Sequence, residues 1–296
     1  MKRFLFKLLP ITGMFITWGT AHAVICSISA TSMPLSTVYL APAATQTYTG
    51  TISGNCTPEA LEVGTRPYIY IGIDQGNPPA GRAMVRQNGA DLLNYQIYRD
   101  VGLTNIWNEA AAANNGPGGV SYRMATGVAN TAQAFGPYSY YLNIPAGQTT
   151  NPAGIYNDSA VTATIRLSTN TGLATGAVIN TAVFSANASI QHSCYFSTNP
   201  STLNLNYTSF TGTAVTGASS FALSCTFNSP YTLAIAPTTG TALGITYSLA
   251  LSAALGTGTA APQNFTVTGT AAAGQAGTCA IGVCSANNPH TVTVTF

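Results

Sequence analysis

HTVTVTF, residues 290–296, alternates without a break: Val292, Val294 and Phe296 point one way, and Thr291, Thr293 and Thr295 the other. A period of two is that of a half-buried β-strand. The same alternation, or a short apolar run rich in β-branched and aromatic residues, recurs upstream. It appears in RPYIYIGI (66–73), NYQIYR (94–99), YSYYLNI (138–144), VTATIRL (161–167), FALSCTF (221–227), GITYSLAL (244–251) and NFTVTG (264–269), all of which read as strands. GNPPAG (76–81), NNGPGG (114–119), NPAG (151–154) and TTG (238–240) punctuate them as turns. The four alanines at 110–113 are the one helical candidate, and a single turn of helix does not stand alone. The fold class is therefore all-β, with enough short strands for two β-sandwiches. The terminal strand is then an edge, and an edge strand recruits other chains.

The N-terminus reads as a signal peptide over residues 1–23. Lys2, Arg3 and Lys7 form a basic start, LLPITGMFITWG (8–19) is apolar, and Ala21-His22-Ala23 is a cleavage site. Ile25 ahead of Cys26 argues against a lipid anchor, and no later apolar run is long enough to cross a bilayer as a helix. Without the signal, six arginines and seven acids remain, a net charge of −1. That balance gives nucleic-acid binding no electrostatic basis. From Leu167 to Phe296 there is no Asp, Glu, Lys or Arg, which makes the second half a poor place for acid–base chemistry.

Cys26 and Cys56 lie 30 residues apart, Cys194 and Cys225 lie 31 apart, and Cys279 and Cys284 bracket a short AIGV loop. Two near-equal spacings suggest a duplicated module, and an even count in an exported chain suggests three disulfides. Spacings near 30, without clustered histidines or a CxxC pair, argue against a metal site. The expected division is 24–188 and 189–296, with the joint just before IQHSC.

The first half resembles the spore coat protein U family, whose members include pilins of archaic chaperone–usher pili. The residues that carry the resemblance are Cys26 with Cys56, Arg82-Ala-Met84, LNYQIYRD (93–100), Thr104 ahead of Trp107, IPAGQ (144–148) and GIYNDSAVTATIRL (154–167). The second half is similar through Cys194 with Cys225, GTAAAGQAGTC (269–279) and the terminal HTVTVTF, but lacks the Arg-x-Met, the Trp and the Tyr-Asp pair. The resemblance implies immunoglobulin-like sandwiches, the C-terminal one incomplete and completed by a donated strand that lies beside Val292, Val294 and Phe296. It implies a periplasmic pilus chaperone, an outer-membrane usher and an adjacent pilin as partners, with export to the cell surface.

After cleavage only Val24 and Ile25 would precede Cys26, leaving no strand to donate, so the expected place is the pilus tip. The expected role is adhesion and biofilm formation through loops of the first half, to a surface or host ligand that the sequence does not identify. The apolar loop residues Pro78, Pro79, Met84, Ala112, Phe135 and Pro137 are the candidates for contact.

Other readings compete. A secreted spore-coat or matrix protein would share fold and disulfides. An outer-membrane β-barrel also ends on an aromatic strand, but calls for longer strands, aromatic girdles and a polar lumen. An enzyme would draw on Asp74, Asp91, Asp100, Glu109 and Asp158, which the sequence places at turns and strand ends. His192 and His290 have no acid near them in sequence, and no P-loop or dinucleotide-binding glycine pattern is present. The expectation is no catalysis and no cofactor. Trp107, the only tryptophan after the signal, reads as a packing residue rather than an adhesive ring.

Overall fold

The computed structural model describes residues 24–34, 45–59, 68–74, 82–109, 111–112, 116–125, 129–168 and 176–296. The expected signal peptide, Pro78 and Pro79 lie outside the described residues. All regular structure among them is β. The strands of the first half are β1 (Val24–Ala30), β2 (Gln46–Pro58), β3 (Tyr68–Ile73), β4 (Arg82–Arg86), β5 (Leu92–Tyr98), β6 (Ala111–Ala112), β7 (Gly116–Pro117), β8 (Val120–Arg123), β9 (Gln133–Ile144), β10 (Gly154–Ser168) and β11 (Val178–Ile190). Those of the second are β12 (Cys194–Thr198), β13 (Val215–Cys225), β14 (Pro230–Ala236), β15 (Thr239–Ala242), β16 (Ile245–Leu251), β17 (Leu255–Thr257), β18 (Gln263–Ala271) and β19 (Thr291–Thr295). The alanine run holds a two-residue strand, β6, in place of helix.

In the first half the strands run in the order β1-β2-β9-β5-β4-β10-β3-β8, and β11 lies along the other side of β10. Alternation decides which residues face inward: Leu93, Tyr95 and Ile97 of β5 are buried between exposed or half-buried neighbours. They join Ile69, Ile71, Met84, Trp107, Phe135, Tyr140, Ile165 and Phe184 in one apolar core. A filled apolar interior is the inverse of an outer-membrane barrel, whose lumen is polar. β11 pairs with β10 from Ile190 beside Gly154 to Val178 beside Arg166. Its other edge meets the segment after β1, where Met33 N–H donates to Ser185 O and Asn187 Nδ2 donates to Met33 O. Strand β11 thus closes the first half.

The second half has its own core of Phe221, Leu223, Cys225, Tyr231, Leu233, Phe265 and Val267. It lies between a five-stranded sheet, β12-β13-β18-β16-β15, and a three-stranded one, β17-β14-β19.

All three disulfides are formed: Cys26–Cys56, Cys194–Cys225 and Cys279–Cys284. The first two join directly opposed residues of neighbouring strands. Replacing Cys26 and Cys56 together by serine is expected to lower stability by about 3–4 kcal/mol, the closure entropy of a loop of that length. Urea unfolding of the full chain measures it.

Residues of the expected family pattern converge on a buried polar cluster. Arg82, almost wholly buried, donates to Gln96 Oε1 at 2.5 Å, to Trp107 O at 3.0 Å and to Asp74 O. Trp107 is fully buried and donates from Nε1 to Ile71 O at 3.1 Å, so it packs the core. Tyr95 Oη donates to Asp158 Oδ2 at 2.7 Å, and burial with that carboxylate pushes its phenol far above the usual range. Arg82→Met is expected to cost about 2–3 kcal/mol, because one buried and two part-buried acceptors lose their donor. The loss appears as a lower denaturant midpoint at unchanged slope.

Candidate docking site

Each of the eight strands of the second half has a counterpart in the first. In each, a cysteine-bridged pair leads the sheet (β1 with β2, β12 with β13), and the second member pairs a long strand (β9, β18) that pairs a third (β5, β16). That third strand pairs a fourth, β4 or β15. On the opposing face β3 corresponds to β14, β8 to β17 and β10 to β19. Three strands of the first half have no counterpart, the short pair β6 and β7 and the long β11, and only β11 lies along β10. β10 has β3 on one side and β11 on the other, whereas β19 has β14 on one side and no strand on the other among the described residues.

Register makes the consequence measurable. Ala163 and Ile165 of β10 oppose Ile73 and Ile71 of β3, and all four are fully buried. At the corresponding positions Val292 and Val294 oppose Ile235 and Leu233, and both valines remain only half-buried. Phe296, one step on, is exposed. Around them Ile235, Leu249 and Leu251 are also half-covered, together with Leu203 of the segment that follows β12. Leu203, Leu205 and Tyr207 of that segment alternate inward with exposed neighbours, as an extended rim facing an open groove would. In the first half β11 places Phe184 beside Val161 of β10, packed on Tyr140 at 5.3 Å between ring centres. Among the described residues, the second half therefore leaves a half-covered apolar strip beside an edge of β19 that no strand pairs.

The expected contact residues of the first half fare differently. Met84 and Phe135 are buried in the core, because both fall at inward positions of β4 and β9. That corrects their assignment to exposed loops. Pro137 is exposed within β9, and Ala112 lies in β6. Val101 stands 77% exposed in the loop after β5. It offers no period to find, being a single apolar residue between turn residues.

The acidic candidates are tied into the framework. Asp74 accepts from Thr162 N–H, Asp91 pairs with Arg86 at 2.7 Å, and Glu109 pairs with Arg166 at 3.1 Å. Asp100 accepts from the backbone of Thr104 and Asn105, bonds that hold its carboxyl below the usual range. Each has the role of a turn or strand-end acceptor. His192 bonds Ser229, and His290 bonds Pro237 O and Tyr247.

Comparison with protein families finds a match to the Spore Coat Protein U domain over residues 16–164, half of the chain. The chain belongs to the spore coat protein U domain family. The matched region ends inside β10, before β11 begins. A comparison with curated protein sequences finds no match. Among solved structures, the chain is similar to the CsuC–CsuE chaperone–tip adhesion subunit pre-assembly complex from archaic chaperone–usher Csu pili of Acinetobacter baumannii, at 16% identity and a TM-score of 0.45, over 92% of this chain and 100% of that one. It is also similar to CfaE, the adhesive subunit of CFA/I fimbria of enterotoxigenic Escherichia coli, at 10% identity and a TM-score of 0.28, over 91% of this chain and 85% of that one.

Proposed function

We propose that this spore coat protein U domain protein is the tip adhesin of a chaperone–usher pilus. It comprises a binding module in the first half and a docking module in the second. The observation that carries this reading is the match between the two halves in which β11 has no counterpart beside β19. The first module is completed within the chain and accepts nothing. The second accepts one strand, first from a periplasmic chaperone and then, after passage through the outer-membrane usher, from the adjacent pilin. Such a chain binds the fibre at one end only.

Register supports one choice of the free end. β2 runs from Gln46 beside Ile144 to Cys56 beside Gln133, so the Cys26–Cys56 bridge and the loop 145–153 lie at opposite ends of the first module. β11 finishes beside the start of β10, at the end that carries loop 145–153, and the chain enters the second module there. The Cys26–Cys56 end then faces outward, and with it the end of β5 and the loop that carries Val101. Attachment through apolar loop contacts at this end is the adhesive mechanism we infer.

Val101→Asp is expected to lower attachment several-fold while surface fibres stay normal in number. Attachment counts and electron microscopy of the same cells check it, and full attachment by normally piliated cells would overturn the placement.

A further inference from the structure

At the end of the second module opposite its cysteine bridge, four large apolar side chains face solvent. Ile281 is 91% exposed and Val283 fully so, in the loop that the Cys279–Cys284 disulfide closes. Phe210 is 73% exposed and Leu243 is also exposed, on two neighbouring turns. Hydrogen bonds join these three segments into one surface. Phe210 N–H donates to Gln275 O at 2.9 Å, and Thr278 N–H donates to Leu243 O at 2.8 Å. The loop's far side is held by Asn288, which donates to Thr241 O and to Tyr247 Oη, and by His290 against Tyr247.

Two features set this patch apart from scattered surface residues. Phe210 and Leu243 both sit in the left-handed region, with φ of 62° and 52°, where bulky side chains are strained. Strain of that kind collects at functional contacts. Gly282, at φ 76°, turns the chain between Ile281 and Val283 with nothing packed over it. A disulfide, a left-handed glycine and two strained turns hold four apolar groups outward.

The joint between the two modules indicates what covers them. Loop 145–153 of the first module, between β9 and β10, meets the cysteine-bridged end of the second. Gln148, Thr149 and Asn151 line a shared cleft with Ser193, Tyr195 and Thr226. Loop 272–290 holds the corresponding position between β18 and β19. β13 runs from Val215 beside Ala271 toward Cys225, so this loop lies away from the Cys194–Cys225 bridge. The module that follows β11 begins where β11 leaves the start of β10. A donated strand that takes the same course beside β19 delivers its own module onto loop 272–290.

We propose that Phe210, Leu243, Ile281 and Val283 form a second protein-binding surface, separate from the strand groove. It seats the cysteine-bridged end of the neighbouring subunit whose strand fills that groove. The proposal rests on the docking function inferred above. It adds a body-to-body contact that orients the tip on the fibre, as loop 145–153 orients the two modules within the chain.

A photo-reactive amino acid placed at 281 in one full chain and at 294 in another tests both in producing cells. Surface fibres are isolated and the cross-linked peptides sequenced. The expected result is an adduct from 281 to residues near the leading cysteine pair of the next subunit, and an adduct from 294 to its donated strand. An adduct from 294 with none from 281, or one from 281 to the chaperone alone, overturns this proposal and leaves the docking function standing. No adduct from either position overturns both. In parallel, I281S with V283S should release tips from fibres at least about ten-fold faster under shear, with chaperone capture unchanged. Unchanged release would count against the contact.

Discussion

Aspartate at both Val292 and Val294 is expected to abolish capture of an incoming strand while the first module stays folded. In the free protein the two valines are half-exposed, so carboxylates there keep part of their hydration. With a strand in place they would be covered as Ala163 and Ile165 are, at the same register and fully buried. No lysine or arginine exists anywhere from Leu167 to Phe296 to pair them. An unpaired buried charge costs several kcal/mol, enough to remove binding at any practical concentration. Co-purification of the chaperone with the full chain measures capture, and urea unfolding reports the first module. Retained capture by V292D/V294D would show that the groove is not the docking site.

Phe184→Ala is expected to destabilise the first module by about 3–5 kcal/mol, the range for a large aromatic removed from a close-packed core. Phe184 is almost wholly buried and packs on Tyr140, which in turn donates to Thr31 O beside Tyr48. The residue is the main plug that β11 inserts, so its loss strikes the closure of the module rather than one contact. The second module, with its separate core, should unfold as before. A loss below about 1 kcal/mol in denaturant would mean that β11 is dispensable for closure. That would remove the basis for comparing it with a donated strand.

Much of this architecture is legible in the sequence because strand signals are local. YSYYLNI, GITYSLAL and NFTVTG show their faces by alternation alone, and the structure places β9, β16 and β18 on them. The disulfides follow from count and spacing. What was illegible depends on pairing, which is not local. Nothing local in TAVFSANASI (181–190) says whether it closes the first half, and its place between β10 and the segment after β1 decides this. Met84 and Phe135 look like loop residues because proline and glycine stand near them, yet strand extension carries both to inward positions. The docking patch hides for another reason. Phe210, Leu243, Ile281 and Val283 are far apart in sequence, and turn hydrogen bonds bring their segments together. Trp107 and Arg82 carry the family resemblance through burial, so they mark packing rather than a surface site.

Among the described residues β19 lacks the neighbour that β10 has, and in the proposed function another chain supplies it. Residue-resolved amide hydrogen exchange on the full chain, free and then incorporated in fibres, tests this most directly. Slow exchange is expected along β10 in both states. In the free chain β19 should show slow exchange only at amides paired with β14, and fast exchange at the alternate amides of its open edge. In fibres the fast set should become as slow as those of β10. Uniform protection of β19 in the free chain, or no gain of protection on assembly, would contradict it.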